Sequence, residues 1–131
     1  MKELIQNLIE ALREELKHYG EMLALLDHQQ KLAAVHRQSP ELLDSIGAVN
    51  AQAEAIRVAR QEREQRRRHL ARTLALGETS GFGELTPRLP SVYQPLVQAL
   101  VQENNELLIR VQQRALQNHL YAEVLVADGV E

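Results

Sequence analysis

The chain has 131 residues, room for one domain with a core, and 44% of them are hydrophobic but only 3% aromatic. The core must therefore be built from Leu, Ile, Val and Ala, a palette that favours helix. Cysteine is absent, which excludes disulfides, thiol catalysis and Cys-ligated metals, and the formal net charge of −3 weighs against a nucleic-acid partner. Glu3 and Glu10 interrupt the apolar run at the N-terminus, so it does not read as a secretory signal. No stretch approaches the roughly 20 apolar residues of a membrane span. These features predict a soluble, intracellular protein.

A first helix is predicted over residues 2–37. Ile5, Leu8, Leu12, Leu16, Tyr19, Leu23, Leu26 and Ala33 recur on one stripe at helical spacing, with Glu3, Arg13, Glu14, Lys17 and Glu21 off it. At about 1.5 Å per residue this helix is roughly 50 Å long. Ser39 and Pro40 form a helix-start signal, an N-cap followed by a proline at the first helical position. Proline also restrains the residue before it from helix, which closes the first helix nearby. So short a connection forces an antiparallel hairpin.

The second helix is expected over residues 40–76, with Leu42, Ile46, Val49, Ala53, Ile56, Arg60, Arg63, Arg67, Leu70 and Leu74 along its seam. Three consecutive seam positions are arginine. Residues 77–90 read as a loop, with Gly77 as a left-handed helix cap and Gly81, Gly83, Pro87 and Pro90 blocking regular structure. Ser91 with Gln94 forms a capping box for a third helix over 91–127, although Pro95 marks an alternative, later start. The expected fold is all-α, an elongated antiparallel bundle of three long helices with left-handed, coiled-coil-like packing.

The third helix is apolar on two faces. One stripe holds Val97, Leu100, Val101, Leu107, Leu108, Val111, Ala115, Ala122 and Leu125, interrupted by Asn104 and Asn118, polar seam residues of the kind that specify register. The other holds Ile109, Leu116, Leu120 and Val124. One stripe suffices to face a bundle core. The second is open to three readings: burial within the bundle, self-association as a homodimer, or a foreign amphipathic helix docked through anchors at helical spacing. Tyr121, beside this stripe, is a candidate contact or a core residue.

Chemistry finds little support. Glu15 and His18 form a single Glu-x-x-His element where a di-iron bundle needs two plus further glutamates. Gly81-Phe82-Gly83 lacks the third glycine and the strand of a dinucleotide loop, and Ser80 is not framed as a nucleophile elbow. His28, His36, His69 and His119 show no metal spacing. No catalytic, cofactor or metal residue is therefore expected. From Arg57 to Arg72, seven arginines face two glutamates, Glu62 and Glu64. Nucleic-acid binding would want interleaved aromatics, which are missing. The alternatives are a protein-partner surface, or interhelical ion pairs that align Arg63 with Glu14 and Arg67 with Glu10.

Three stretches carry a resemblance. LLDHQQKLAAVHRQSPELLDSI across the first turn, RVARQEREQRRRHLARTLAL closing the second helix and VQENNELLIRVQQRALQNHL on the third are similar to the flagellar export chaperones of the FlgN family. The resemblance implies a cytoplasmic protein without enzymatic activity. It would hold the C-terminal segments of hook–filament junction proteins, of the FlgK/FlgL type, and deliver them to the flagellar type III export apparatus. The family's substrate region lies toward the C-terminal helix, here around residues 107–120. That makes Ile109, Leu116, Leu120, Tyr121 and Val124 the candidate partner-binding set. A self-associating coiled-coil adaptor without an export role is the alternative.

Overall fold

The computed structural model describes residues 1–35 and 39–118. It contains α1 (Lys2–Val35), α2 (Pro40–Thr73), a short α3 (Phe82–Leu85) continued by one 3-10 turn (Thr86–Arg88), and α4 (Gln94–Gln117). The three long helices form a bundle, and no strand occurs among the described residues. The all-α expectation holds.

α1 is the central helix. Its backbone runs close to both α2 and α4, which themselves seldom approach each other. Its buried arc is correspondingly wide: Ile9, Ala11, Glu15, Met22 and Gln29 are buried along with the predicted Ile5, Leu8, Leu12, Tyr19 and Leu26. Leu16 and Leu23 are only half-buried. The spacing explains this. Steps of three and four from Ile5 pass through Leu8, Leu12, Glu15, Tyr19, Met22, Leu26 and Gln29, leaving the two leucines one position off the seam. α2 returns antiparallel to α1, and α4 runs parallel to it.

Helix ends follow local chemistry, with three corrections to the sequence reading. Ser39 caps α2 as expected, its hydroxyl accepting the Leu42 N–H at 3.2 Å, with Pro40 in the first turn. At the other end the left-handed residue is Ala75 (φ 58°), not Gly77. The Leu76 N–H donates to the Ala71 carbonyl at 2.8 Å and the Ala75 N–H to Arg72 at 3.0 Å, the double bond pattern of a Schellman cap. Leu76 packs against the core from this position, and that contact holds Ala75 in place.

The second correction concerns residues 77–90. Phe82, Leu85 and Leu89 are buried, and their burial folds the segment into α3 and the 3-10 turn despite its Gly and Pro content. Pro87 sits at the start of the 3-10 turn, where no N–H is required. Third, no capping box forms at Ser91. α4 begins at Gln94, the later start that Pro95 marks, and the Gln94 amide donates instead to the carbonyls of Leu89 at 2.8 Å and Pro87 at 3.3 Å.

The core is divided. A basal cluster joins Ile5, Leu8, Leu12, Leu70, Phe82, Leu85, Leu89, Val97 and Leu100. A distal cluster, toward the hairpin turn, joins Tyr19, Met22, Leu26, Val49, Ala53, Ile56, Leu108, Val111 and Ala115. Between them each long helix contributes buried polar residues: Glu15 from α1, Arg63 and Arg67 from α2, Asn104 from α4.

Candidate functional site: the outer face of α4

Two polar devices organise the bundle that carries α4: one ties α4 to α1, the other ties α1 to α2. The first is a pair of asparagines. The Asn104 amide donates to the carbonyls of Leu12 at 3.0 Å and Leu100 at 2.9 Å, and the Asn118 amide to the carbonyl of Leu26 at 2.9 Å and to Gln29 Oε1 at 3.0 Å. Both cross to an α1 carbonyl 92 residues earlier in the chain, two heptads apart. Backbone carbonyls recur along α1, so the register-specific bond of the pair is the one from Asn118 to the Gln29 side chain.

The second device is the polar belt. Glu15 is fully buried, and its carboxylate accepts Arg63 Nε at 3.0 Å, Arg63 Nη2 at 3.4 Å and the Tyr19 hydroxyl at 2.6 Å. Arg60 Nη1 donates to the Tyr19 hydroxyl at 3.1 Å. Arg63 and Arg67 share Glu64, at 2.7 Å each. Arg67 also donates to the carbonyls of Glu78 and Ser80, so it braces the turn that follows α2.

The predicted ion pairs are thus shifted. Arg63 does reach α1, but to Glu15 rather than Glu14, and Arg67 does not meet Glu10. Glu14 lies 3.2 Å from His18 and 3.6 Å from Lys17, while Glu10 is exposed near Glu62 and Arg66. One residue of register separates the two alignments, and one residue turns a side chain by about 100° around a helix. The shift takes the partner from the surface into the seam. The signal was present in the sequence: a lone glutamate on the strict seam of α1, opposite a row of seam arginines.

Elsewhere in the arginine cluster, Arg57 pairs with Glu54, Arg66 with Glu62 and Arg72 with Glu78. Glu15 and His18 are parted, His18 turning to Glu14, Glu21 and Gln52. Among the described residues no three His, Cys, Asp or Glu side chains gather as a metal site would.

With Val97, Leu100, Asn104, Leu108, Val111 and Ala115 buried, α4 presents a separate outer face. Ile109 and Leu116 lie on it, 52% and 54% exposed. Leu120, Tyr121 and Val124 fall outside the described residues. Next to Ile109 a groove of about 400 Å³ opens between α4 and the α3 layer. Phe82, Gly83, Thr86 and Pro87 form one wall. Val101, Asn105 and Ile109 form the other, with Gln98, Gln102 and Glu106 as a polar row beside them. Sequence reading missed this groove because it treated residues 77–90 as structureless.

The sequence profile of the FlgN protein family matches residues 1–125, nearly the whole chain. The chain belongs to the FlgN family. Membership carries the general role of that family, a chaperone of flagellar protein export whose partners are flagellar proteins. No curated protein and no solved structure gives a match. The FlgN match takes in the α1–α2 hairpin, the α3 layer and all of α4, so the outer face and the groove both lie inside it. No helix among the described residues is long and apolar enough to cross a membrane.

Proposed function

We propose that this FlgN-family chaperone works in the cytoplasm. It holds the C-terminal segments of hook–filament junction proteins and delivers them to the flagellar type III export apparatus. No bond is made or broken in that role. The observation that supports the reading is the pair Ile109 and Leu116. They stand one heptad apart and more than half exposed on α4, whose opposite face is already filled by α1. Apolar anchors at that spacing suit an amphipathic partner helix. Leu120, Tyr121 and Val124 continue the set in the sequence.

The mechanism is coupled folding. A segment disordered on its own orders as it buries apolar side chains on α4, and the ordering entropy holds the affinity down. Release then needs only competition or unfolding at the export gate. Leu116→Glu tests the reading, with Leu120→Glu as a second variant. Binding to a junction-protein C-terminal peptide, measured by calorimetry, should weaken at least tenfold while the helical circular dichroism and melting temperature stay within error. A loss of helical signal would make the stripe core, and unchanged affinity would remove it from the interface. If wild-type protein instead sediments as a concentration-dependent dimer that Leu116→Glu dissociates, the stripe serves self-association.

A further inference from the structure

α1 and α2 each contain one glycine, Gly20 and Gly47, and α4 contains none. Both lie in the distal half of the bundle, Gly20 between Tyr19 and Met22 and Gly47 just before Val49. Neither is at a helix end. Nothing around them requires a glycine. Neither has a positive φ, and a Cβ built at either position meets nothing within 4 Å. In a helix interior each glycine then lowers the folding equilibrium about fivefold relative to alanine, through the extra backbone entropy it loses. The basal stretches of the same helices carry no such weakness, and their cluster is closed further by Phe82, Leu85 and Leu89. The weak end is the one that carries the exposed stripe of α4. That stripe is small for a binding site: Ile109 and Leu116 are its described residues, and both are already nearly half covered. Ordering two helical turns of a partner segment costs more than covering the rest of two side chains returns. More apolar surface lies on the inner face of the same turns. Leu108, Val111 and Ala115 are buried there against Tyr19, Met22, Leu26, Val49, Ala53 and Ile56. It becomes available only when α4 and the α1–α2 hairpin part at the distal end.

We infer that Gly20 and Gly47 set the distal half of the bundle to open, and that the bound segment takes the opened form, burying Leu108, Val111 and Ala115 together with Ile109 and Leu116. The inference rests on the chaperone reading and adds to it how the site is regulated. The polar belt of Glu15 and Arg63 marks the limit of the opening, and the basal cluster beyond it keeps the chain folded. The observed affinity is then the intrinsic affinity multiplied by the fraction of molecules that are open. Any change that makes opening harder weakens binding by the same factor, even at a site the segment never touches.

That proportionality provides the test. Gly20→Ala and Gly47→Ala make opening harder, and Ala24→Gly, at an exposed position of α1 in the same half, makes it easier. Native-state hydrogen exchange of amides around Met22, Ile56 and Val111 in the full-length protein measures the opening. Calorimetry with a junction-protein C-terminal peptide measures the affinity. Each alanine should raise protection about fivefold and weaken the peptide about fivefold. The double variant should do both about 25-fold. Ala24→Gly should lower protection about fivefold and tighten the peptide about fivefold. Affinity that stays constant while protection moves overturns the inference and leaves the chaperone reading standing, because the peptide still binds. Weakening by the alanines without tightening by Ala24→Gly makes the glycines a contact surface and also overturns it, as does unchanged protection in the alanine variants. Absence of peptide binding by the wild type is the failure of the chaperone reading itself, and this inference falls with it.

Discussion

Tyr19 shows what the polar belt does to a single side chain. Its hydroxyl donates to Glu15 and accepts from Arg60 inside the bundle. Burial first, and then the Glu15 charge, raise the phenol pKa well above its ordinary value of 10, with Arg60 opposing. The folded protein therefore keeps a proton that the unfolded chain releases. The associated stability is whole below pH 10 and declines above it, by about 1.4 kcal/mol per pH unit, until the folded phenol itself ionises. Tyr19→Phe should lose about 1 kcal/mol at neutral pH, one buried hydrogen bond, and should also lose that alkaline decline. Urea unfolding of both proteins between pH 8 and 11 measures it, and parallel curves for the two would refute the account. Tyr19 was legible in the sequence as a stripe residue. Glu15 was overlooked although the strict seam runs through it, because Leu16 beside it satisfies a search for apolar side chains.

Among elements, the helices were legible and their ends less so. Periodicity located α1, α2 and α4 because long amphipathic helices repeat one signal many times. Ser39 and Pro40 fixed the start of α2 through a bond made within four residues. The C-terminus of α2 was misplaced because its cap depends on a tertiary contact, the docking of Leu76, and that contact puts alanine where glycine is usual. A left-handed alanine is strained by about 1 kcal/mol, and glycine's freedom in the unfolded chain offsets part of any gain from replacing it. Ala75→Gly should therefore stabilise the protein by about 0.5 kcal/mol. Gly77→Ala should be neutral or slightly stabilising, since Gly77 does not have a positive φ and an added Cβ would lie 3.8 Å from Ser80 Oγ. Thermal unfolding of the two variants decides the position of the cap: destabilisation by Gly77→Ala with no gain from Ala75→Gly would return it to Gly77. The α3 layer was invisible for a related reason. Local Gly and Pro signals are read residue by residue, whereas the burial of Phe82, Leu85 and Leu89 depends on partners in α1, α2 and α4.

At the scale of the molecule the belt separates two apolar clusters. Buried ion pairs add little net stability, because desolvation consumes most of their attraction. The apolar clusters on either side carry the burial energy, and only the basal one is closed by α3, the 3-10 turn and Leu89. The distal half, which among the described residues is built from the three long helices, should open first, before global unfolding. Leu8→Ala separates this from all-or-none behaviour. Leu8 is buried in the basal cluster, which stays formed when only the distal half opens. The substitution should lower the free energy of global opening by about 2–5 kcal/mol and leave the distal opening unchanged. In native-state hydrogen exchange, amides around Met22, Ile56 and Val111 would then keep their protection while those around Leu12, Leu70 and Leu100 lose it. Leu108→Ala, in the distal cluster, should lower both sets, since Leu108 is buried only before either opening. Equal losses in both regions for Leu8→Ala would mean one cooperative unit. Should the regions separate, the distal end of α4 with Leu116 can repack around a bound segment while the basal core keeps the bundle folded.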